Sequence, residues 1–273
     1  MTMLAARTRS LPAPEPTSPL AGSPPLVEQG RYSLRLAETE SEIDAAFRLR
    51  FEVFNLELGE GLRRSLLTGR DQDEFDDFCR HLVVVDRHTG ATVGTYRVQT
   101  GDDAARGHGF YTATEFDLSA MPGEILGGSL ELGRACIARA HRNTRVLYLL
   151  WRGIAEIAQR EGKRWLFGCC SLTSRDPGEG RALLDVLARR EAVHPRVRVR
   201  PRPGFACWPT ASGAARSVEV PRLFDMYLAM GARVCSEPAI DRAFGTIDFV
   251  VLFDLHELDP RSRRRFLPRE ARP

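Results

Sequence analysis

Glu131 and Arg134 stand inside Ser129-Leu130-Glu131-Leu132-Gly133-Arg134-Ala135-Cys136-Ile137, a run that is otherwise apolar and small. Charges in such a strand are costly to bury, so each needs either a partner or a chemical task. A second candidate is the acidic run at residues 71–77, which holds Asp71, Asp73, Glu74, Asp76 and Asp77. It could hold a cation or attract an amine, although such runs are more often simply solvated, and it lacks the ligand spacing of a calcium loop. The third candidate is arginine. Basic residues gather at 139–145 (Arg139, Arg142, Arg145), at 196–202 and at 261–272, and Lys163 is the only lysine. The planar guanidinium suits phosphate and carboxylate binding; a genome-wide arginine bias would give the same composition. Arg196, Arg198, Arg200 and Arg202 alternate with Val197 and Val199. An extended backbone would set all four on one side, as a docking surface for an anionic partner or as a solvated edge strand guarded by charge.

The elements that position these groups follow from periodicity. Residues 32–36 alternate like a strand. Thr39 and Glu42 have capping-box spacing, and Ile43, Phe47, Phe51 and Phe54 recur at helical intervals. Arg48 and Arg50 lie off that stripe, where a solvated face is the plain reading. Residues 81–86 and 91–98 are two strands joined by Arg87-His88-Thr89-Gly90, an antiparallel hairpin. Residues 100–128 read as loop with short elements. After the Glu131 strand, Val146, Leu147, Leu149, Leu150, Ile154, Ile157 and Ala158 mark an amphipathic helix that ends at Gly162. Trp165-Leu166-Phe167-Gly168-Cys169-Cys170-Ser171 is a continuous apolar run of strand length, so a β-α-β unit spans roughly 129–171. Residues 182–190 read as a helix, 221–230 as a short helix and 245–253 as a final strand.

The chain has 273 residues, 43% hydrophobic and 27% charged, with a net charge of +3. That supports one large domain of a globular protein. No apolar run approaches the roughly 20 residues needed to span a bilayer, and the first 20 residues lack a signal-peptide core. A cytoplasmic location and no nucleic-acid partner are the expectations. Residues 1–30 are proline-rich and read as disordered. Residues 31–258 form the folded domain, 175–220 a basic insertion, and 259–273 an arginine-rich tail that could touch a membrane surface. The six cysteines show no zinc spacing and read as buried reduced thiols; no metal is expected.

The order strand, helix, antiparallel meander, strand, helix, strand, helix, strand is that of an α/β (α+β, three-layer) acyltransferase fold. Its mixed, mostly antiparallel sheet splays at the centre and is flanked by helices. Arg50-Phe51-Glu52-Val53-Phe54, the acidic residues 73–77, Gly94-Thr95-Tyr96-Arg97 and Leu130-Glu131-Leu132-Gly133-Arg134 resemble the acyl-homoserine lactone synthase branch of the GNAT superfamily. Glu131-Leu132-Gly133-Arg134, Phe167-Gly168-Cys169-Cys170-Ser171 and Asp241-Arg242-Ala243-Phe244-Gly245-Thr246-Ile247-Asp248 are more closely similar to the ornithine N-acyltransferase family, often labelled hemolysin-like. The likeness covers residues 32–255.

This resemblance implies transfer of a 3-hydroxy fatty acyl group from acyl carrier protein to the α-amine of ornithine, giving a lyso-ornithine lipid. It implies Glu131 as general base, directly or through a water. Backbone N–H groups at 134–136 would polarise the carbonyl. Arg134 and Arg97 would hold the acceptor's carboxylate or order the acidic residues. Asp76 and Asp77 would hold its ammonium, and Arg50, Cys136 and Ser171 would complete the acceptor site. The residues themselves leave open a structural ion pair between Glu131 and Arg134 or Arg97. In CoA-using relatives a glycine-rich turn binds pyrophosphate; here Arg142-Asn143-Thr144-Arg145-Val146-Leu147 fills that place with Arg145 and Leu147. That favours a donor on the phosphopantetheine of an acidic carrier protein, with no resident cofactor. Arg139, Arg142, Arg145, Arg196, Arg198 and Arg200 would steer the carrier. Glycine or S-adenosylmethionine are the alternative acceptors, and Leu58-Gly59-Glu60, standing where the lactone synthases have Leu-Gly-Trp, counts against the latter. A membrane-active protein is the alternative outside enzymes, and nothing resembling an insertion segment supports it. The expected location is cytoplasmic, with peripheral contact at the inner membrane face.

Overall fold

The computed structural model describes residues 25–208 and 218–258, together with Arg263. The readings of 1–24 and of the tail after 258, Arg263 apart, lie outside the described residues. Order begins earlier than residue 32: β1 (Val27–Gln29) pairs antiparallel with β2 (Tyr32–Leu36). Next come α1 (Glu40–Phe51), a π-helical turn (Glu52–Glu57), α2 (Ser65–Thr68), β3 (Arg80–Asp86), β4 (Thr92–Thr100) and α3 (Gly101–Arg106). β5 (Phe116–Asp117), α4 (Gly123–Gly127), β6 (Ser129–Ile137), α5 (Thr144–Arg160), β7 (Trp165–Leu172) and α6 (Pro177–Arg189) follow. β8 (Arg200–Pro201), α7 (Arg222–Ala229), β9 (Arg233–Val234), β10 (Ala239–Asp241) and β11 (Thr246–Asp254) complete the described elements.

The main sheet runs β1-β2-β3-β4-β6-β7-β11-β10, with β9 also on β11. Every strand pair in it is antiparallel except β6 with β7. Local signals account for the elements beside the site. Thr39 and Glu42 form the reciprocal capping box that starts α1. The apolar stripe of α5 (Val146, Leu149, Leu150, Ile154, Ile157, Ala158) is buried in the main core. At the hairpin after β3, Gly90 takes a φ of 73°, which a side chain would resist.

The main described part of the basic insertion, residues 175–208, packs into both cores. Leu183 and Leu187 of α6 are fully buried in the main core, and Val197 and Val199 enter a second core with Phe116, Phe167 and Val250. β8 pairs with β5. The alternation expected there is present: Arg196, Arg198 and Arg200 are exposed while the two valines face inward.

The feature that makes room for a site is the splay of β6 from β7. The two are paired in parallel only at Ser129, Leu130 and Glu131, opposite Trp165, Leu166 and Phe167. Gly168 follows, and a Cβ there would lie 2.1 Å from the Leu132 carbonyl oxygen. Only glycine lets the strands part at that point without moving backbone. Gly168→Ala should therefore lose about 1–3 kcal/mol, lowering the melting temperature by roughly 3–10 °C. An unchanged melting curve would show that the strands shift freely there.

Candidate active site

β4 and β6 carry the centre of the site, and their pairing is irregular. Thr95 faces Cys136 and Arg97 faces Gly133, so Tyr96 alone spans Arg134 and Ala135. The extra residue is a β-bulge, which bends the strand and leaves one residue outside the ladder. Arg134 has a φ of 50°, a left-handed conformation that costs a non-glycine residue about 1–3 kcal/mol.

The Arg134 side chain explains what holds it there. Its guanidinium donates to Asp71 (3.2 Å) and Asp73 (2.9 Å), and lies over the rings of Tyr111 and Phe244 at 4.8 and 4.5 Å. Arg97 donates to Asp73 (2.6 Å) and Asp76 (3.1 Å). Arg50 donates to Asp71 (2.8 Å) and to both oxygens of Asp76 (2.8 and 3.1 Å). Arg50, Arg97 and Arg134 thus meet Asp71, Asp73 and Asp76, all six side chains buried and the charges balanced. Burial by itself would raise the Asp76 carboxyl, but Arg50 and Arg97 outweigh it and hold it well below the usual range. Asp71 is lowered in the same way, by Arg134 and Arg50 against burial. His81 packs edge-on against Phe47 beside this network, and burial pushes its pKa down to about 4.

A cavity of about 230 Å³ opens beside the network, between β6 and β7. Arg97, Gln99, Glu131, Arg134, Ser171 and Asp248 give it a polar wall. Tyr96, Leu132, Cys169, Cys170 and Tyr227 continue into an apolar inner pocket of about 40 Å³ against Trp151 and Phe253. The Tyr96 and Tyr227 hydroxyls bond each other at 3.0 Å.

Glu131 has no arginine partner. Its oxygens accept the backbone N–H groups of Tyr111 (2.8 Å) and Thr112 (2.6 Å). Burial still raises its pKa, against the pull of those donors. The ion pair with Arg134 or Arg97 is therefore absent, because both arginines are taken by aspartates. Glu131 is a fixed, buried carboxylate on the cavity wall with its proton affinity raised, as a general base requires.

Several expected residues lie elsewhere. Asp76 is enclosed by Arg50 and Arg97, and Asp77 is exposed to solvent, so neither belongs to the cavity wall. The acidic run has split by burial: Asp71, Asp73 and Asp76 turn inward, Glu74 and Asp77 outward. Arg50 is 1% exposed and spends its donors on aspartates. Cys136 packs with Leu49, Val53, Phe54 and Phe244 in a small apolar cluster. Burial drives the thiols of Cys136, Cys169 and Cys170 up, so they stay protonated. Arg139, Arg142 and Arg145 are exposed at the start of α5, but Arg142 is paired with Glu57 at 2.5 and 2.7 Å. Asn143 caps α5 by accepting the N–H groups of Arg145 (3.0 Å) and Val146 (3.2 Å).

Four further polar residues were given no role in the site by the sequence reading. Glu60 lines the cavity, its pKa raised by burial against a hydrogen bond from Thr173. Gln99 faces Glu131 across the β4–β6 ladder. Asp248, on β11, faces Ser171 on β7. Glu115 lies behind Asp248: one oxygen of each and Cys169 Sγ fall within 4.8 Å of one another, close enough to hold a cation. Asp248 carried the signal that marked Glu131, a carboxylate inside an apolar strand.

Two outcomes test the network. Arg50→Met should cost about 3–5 kcal/mol in a denaturant titration, because two buried carboxylates lose their partner; a loss below about 1 kcal/mol would mean that water reaches them. His81→Phe removes a group held neutral in the fold. Unfolded histidine takes a proton near pH 6.5 and folded His81 only near 4, so its contribution is lost as pH falls through that window. Wild type should lose roughly 3 kcal/mol relative to His81→Phe between those values, with a flat difference above.

Among known proteins, the family described as an acetyltransferase (GNAT) domain matches residues 49–152. The L-ornithine N(alpha)-acyltransferase of Rhizobium meliloti is 33% identical over 247 residues, 83% of this chain and 81% of that one. That of Brucella abortus is 31% identical over 250 residues, 85% and 87% of the two chains. The solved structure of the AHL synthase LasI aligns at a TM-score of 0.47 and 11% identity, covering 88% of this chain and 98% of that one. With relatives of this identity over most of both chains, the chain belongs to the L-ornithine N(alpha)-acyltransferase family.

Proposed function

We propose that this chain moves a 3-hydroxy fatty acyl group from the phosphopantetheine thioester of an acyl carrier protein to the α-amine of L-ornithine, giving a lyso-ornithine lipid. The observation that carries the reading is Glu131: a buried carboxylate of raised pKa, free of arginine, on the cavity wall where β6 leaves β7. Glu131 takes a proton from the α-ammonium, directly or through a water. The freed amine attacks the thioester carbonyl, and the oxyanion of the tetrahedral intermediate is met by backbone N–H groups at the β6 bulge. Collapse breaks the C–S bond, forms the amide and releases the pantetheine thiol, which regains a proton. Arg97 and Arg134 face the cavity as the place for the acceptor's carboxylate, although aspartates already neutralise them.

The donor is argued from the start of α5. Pyrophosphate binds where helix N-terminal N–H groups are available. Two of them are taken by the Asn143 side chain, and the exposed Arg145 follows directly. A carrier-bound arm needs no such site. The outward arginines at 196, 198 and 200, with Arg139 and Arg145, offer an acidic carrier complementary charge. The acyl chain would enter the inner pocket, which has room for only a few water-sized groups until its walls move. Leu58 and Leu223 are exposed on the cavity rim, and Leu56, Leu66 and Leu67 are exposed nearby in sequence, an apolar margin suited to handing a lipid product to a membrane face. No helix among the described residues is long and apolar enough to cross a membrane.

Incubation with 3-hydroxyacyl carrier protein and a panel of amino acids should yield acyl-ornithine by mass spectrometry. Product with no amine would overturn the enzyme reading, product only with glycine the ornithine reading, and faster turnover of acyl-CoA the donor. Glu131→Gln should lower kcat about 100-fold or more; an unchanged rate would return Glu131 to fixing the Tyr111–Thr112 turn. Arg198→Glu with Arg200→Glu should raise KM for the carrier-bound donor and leave that for ornithine unchanged. An equal KM would mean that the basic face meets something else.

A further inference from the structure

We infer that Glu115 and Asp248 form the subsite for the acceptor's side-chain ammonium, an assignment that rests on the amino-acid-acylating reading. Glu115 is 1% and Asp248 3% exposed. Neither oxygen of Glu115, nor Oδ1 of Asp248, accepts from any donor other than the proton the two acids can share. Buried carboxylates almost always have partners, and leaving one without costs the fold. The neighbouring Asp241 shows the ordinary arrangement: it accepts from the N–H groups of Ala243 (2.8 Å) and Phe244 (2.9 Å) and from the Tyr111 hydroxyl (3.3 Å). Glu115 has no such backbone donors and meets only the Asp248 carboxyl.

Among the described residues no arginine, lysine or histidine forms an ion pair with it either. Arg134 is the arginine whose charge reaches Glu115, and it is bound to Asp71 and Asp73. With the six network charges balanced, the remaining carboxylates at the cavity, Glu60, Glu131, Asp248 and Glu115 behind it, have no guanidinium or ammonium of their own among the described residues. Burial and Asp248 push the Glu115 carboxyl well up, so it keeps its proton until a cation displaces it, and a ligand's ammonium would be that cation. A second observation points the same way: Gln99 is 2% exposed, faces the cavity, and neither its Oε1 nor its Nε2 has a partner. The wall is set for a molecule with several polar ends.

An ammonium fits better than a divalent metal. The third atom near the two carboxyls is Cys169 Sγ, and burial keeps that thiol protonated and weakly ligating. An ammonium needs only acceptors, which is what two carboxyls provide. Glu131 and Asp248 stand on the same cavity, one for the reacting amine and one for the distal amine, so the acceptor lies with both nitrogens on carboxylates. Asp76 and Asp77 are excluded from this task by their own placement.

The test is calorimetric titration of the full chain, without acyl donor, using L-ornithine, L-norvaline (the same three-carbon side chain lacking its terminal ammonium) and Mn²⁺ alone. Wild type should bind ornithine about 30-fold or more tightly than norvaline. Glu115→Gln and Asp248→Asn, each near-isosteric, should bring the two ligands within about threefold. Equal binding by wild type, which requires no variant to fold, would overturn the assignment. So would a preference that survives in both variants, or stoichiometric Mn²⁺ binding lost in both. Loss of acylation in a chain that still prefers ornithine would defeat the proposed activity and leave the subsite standing; acyl-ornithine formed by a chain with no such preference would do the reverse.

Discussion

Six buried charges hold this site together. Arg50 comes from α1, Arg97 from β4, Arg134 from the bulge of β6, and the three aspartates from the loop before β3. Such a network is weak evidence of stability, because removing six charges from water costs nearly as much as their attraction returns. What it supplies is position. Each guanidinium touches two aspartates of one loop, so that loop ties α1, β4 and β6 to a common anchor. That constraint keeps Arg134 left-handed, and the left-handed residue keeps the bulge where the cavity needs backbone without a ladder partner.

The splay divides the cavity by chemistry. On one side stand fixed charges whose partners are settled; on the other, Tyr96, Leu132 and Tyr227 lead to an apolar pocket. Glu131 lies on the last paired residue of β6, at the boundary between the two. A polar amine and an apolar chain can therefore approach one carboxylate from opposite sides, which is the geometry that joining them requires. Gly168 and the Tyr111–Thr112 turn fix that boundary from either side, one by the absence of a side chain and one by two N–H groups.

Much of this was readable in the sequence because the signals were local. The capping box of α1, the stripe of α5, the β6-α5-β7 unit and the outward face of Arg196, Arg198 and Arg200 all rest on residues within a few positions of one another. The site was legible only in part. Glu131 was marked by its apolar surroundings, and by the same rule Asp248 could have been. The partners of Arg50, Arg97 and Arg134 lie 21 to 63 residues away in the chain, and no periodicity pairs them. Asp76 and Asp77 were therefore assigned to a ligand when burial separates them, one into the network and one to solvent. The burial of α6 and the Val197–Val199 pair was hidden for a related reason: it rests on strands elsewhere in the chain. Glu115 left no mark, being one acid in a polar loop.

The unpartnered carboxyls behind the cavity also bear on how this protein would respond to engineering. Burial, and Asp241 beside it, push the Asp248 carboxyl up to about 6, so at neutral pH it carries a buried negative charge that the fold would be more stable without. Consensus design or a heat-challenge library would thus be drawn to residues 115 and 248, where amide or apolar replacements ease an unfavourable burial. On the proposed assignment of these two acids, the variants gaining most heat tolerance would be those that had given up the acceptor, so selection here has to be run with substrate present.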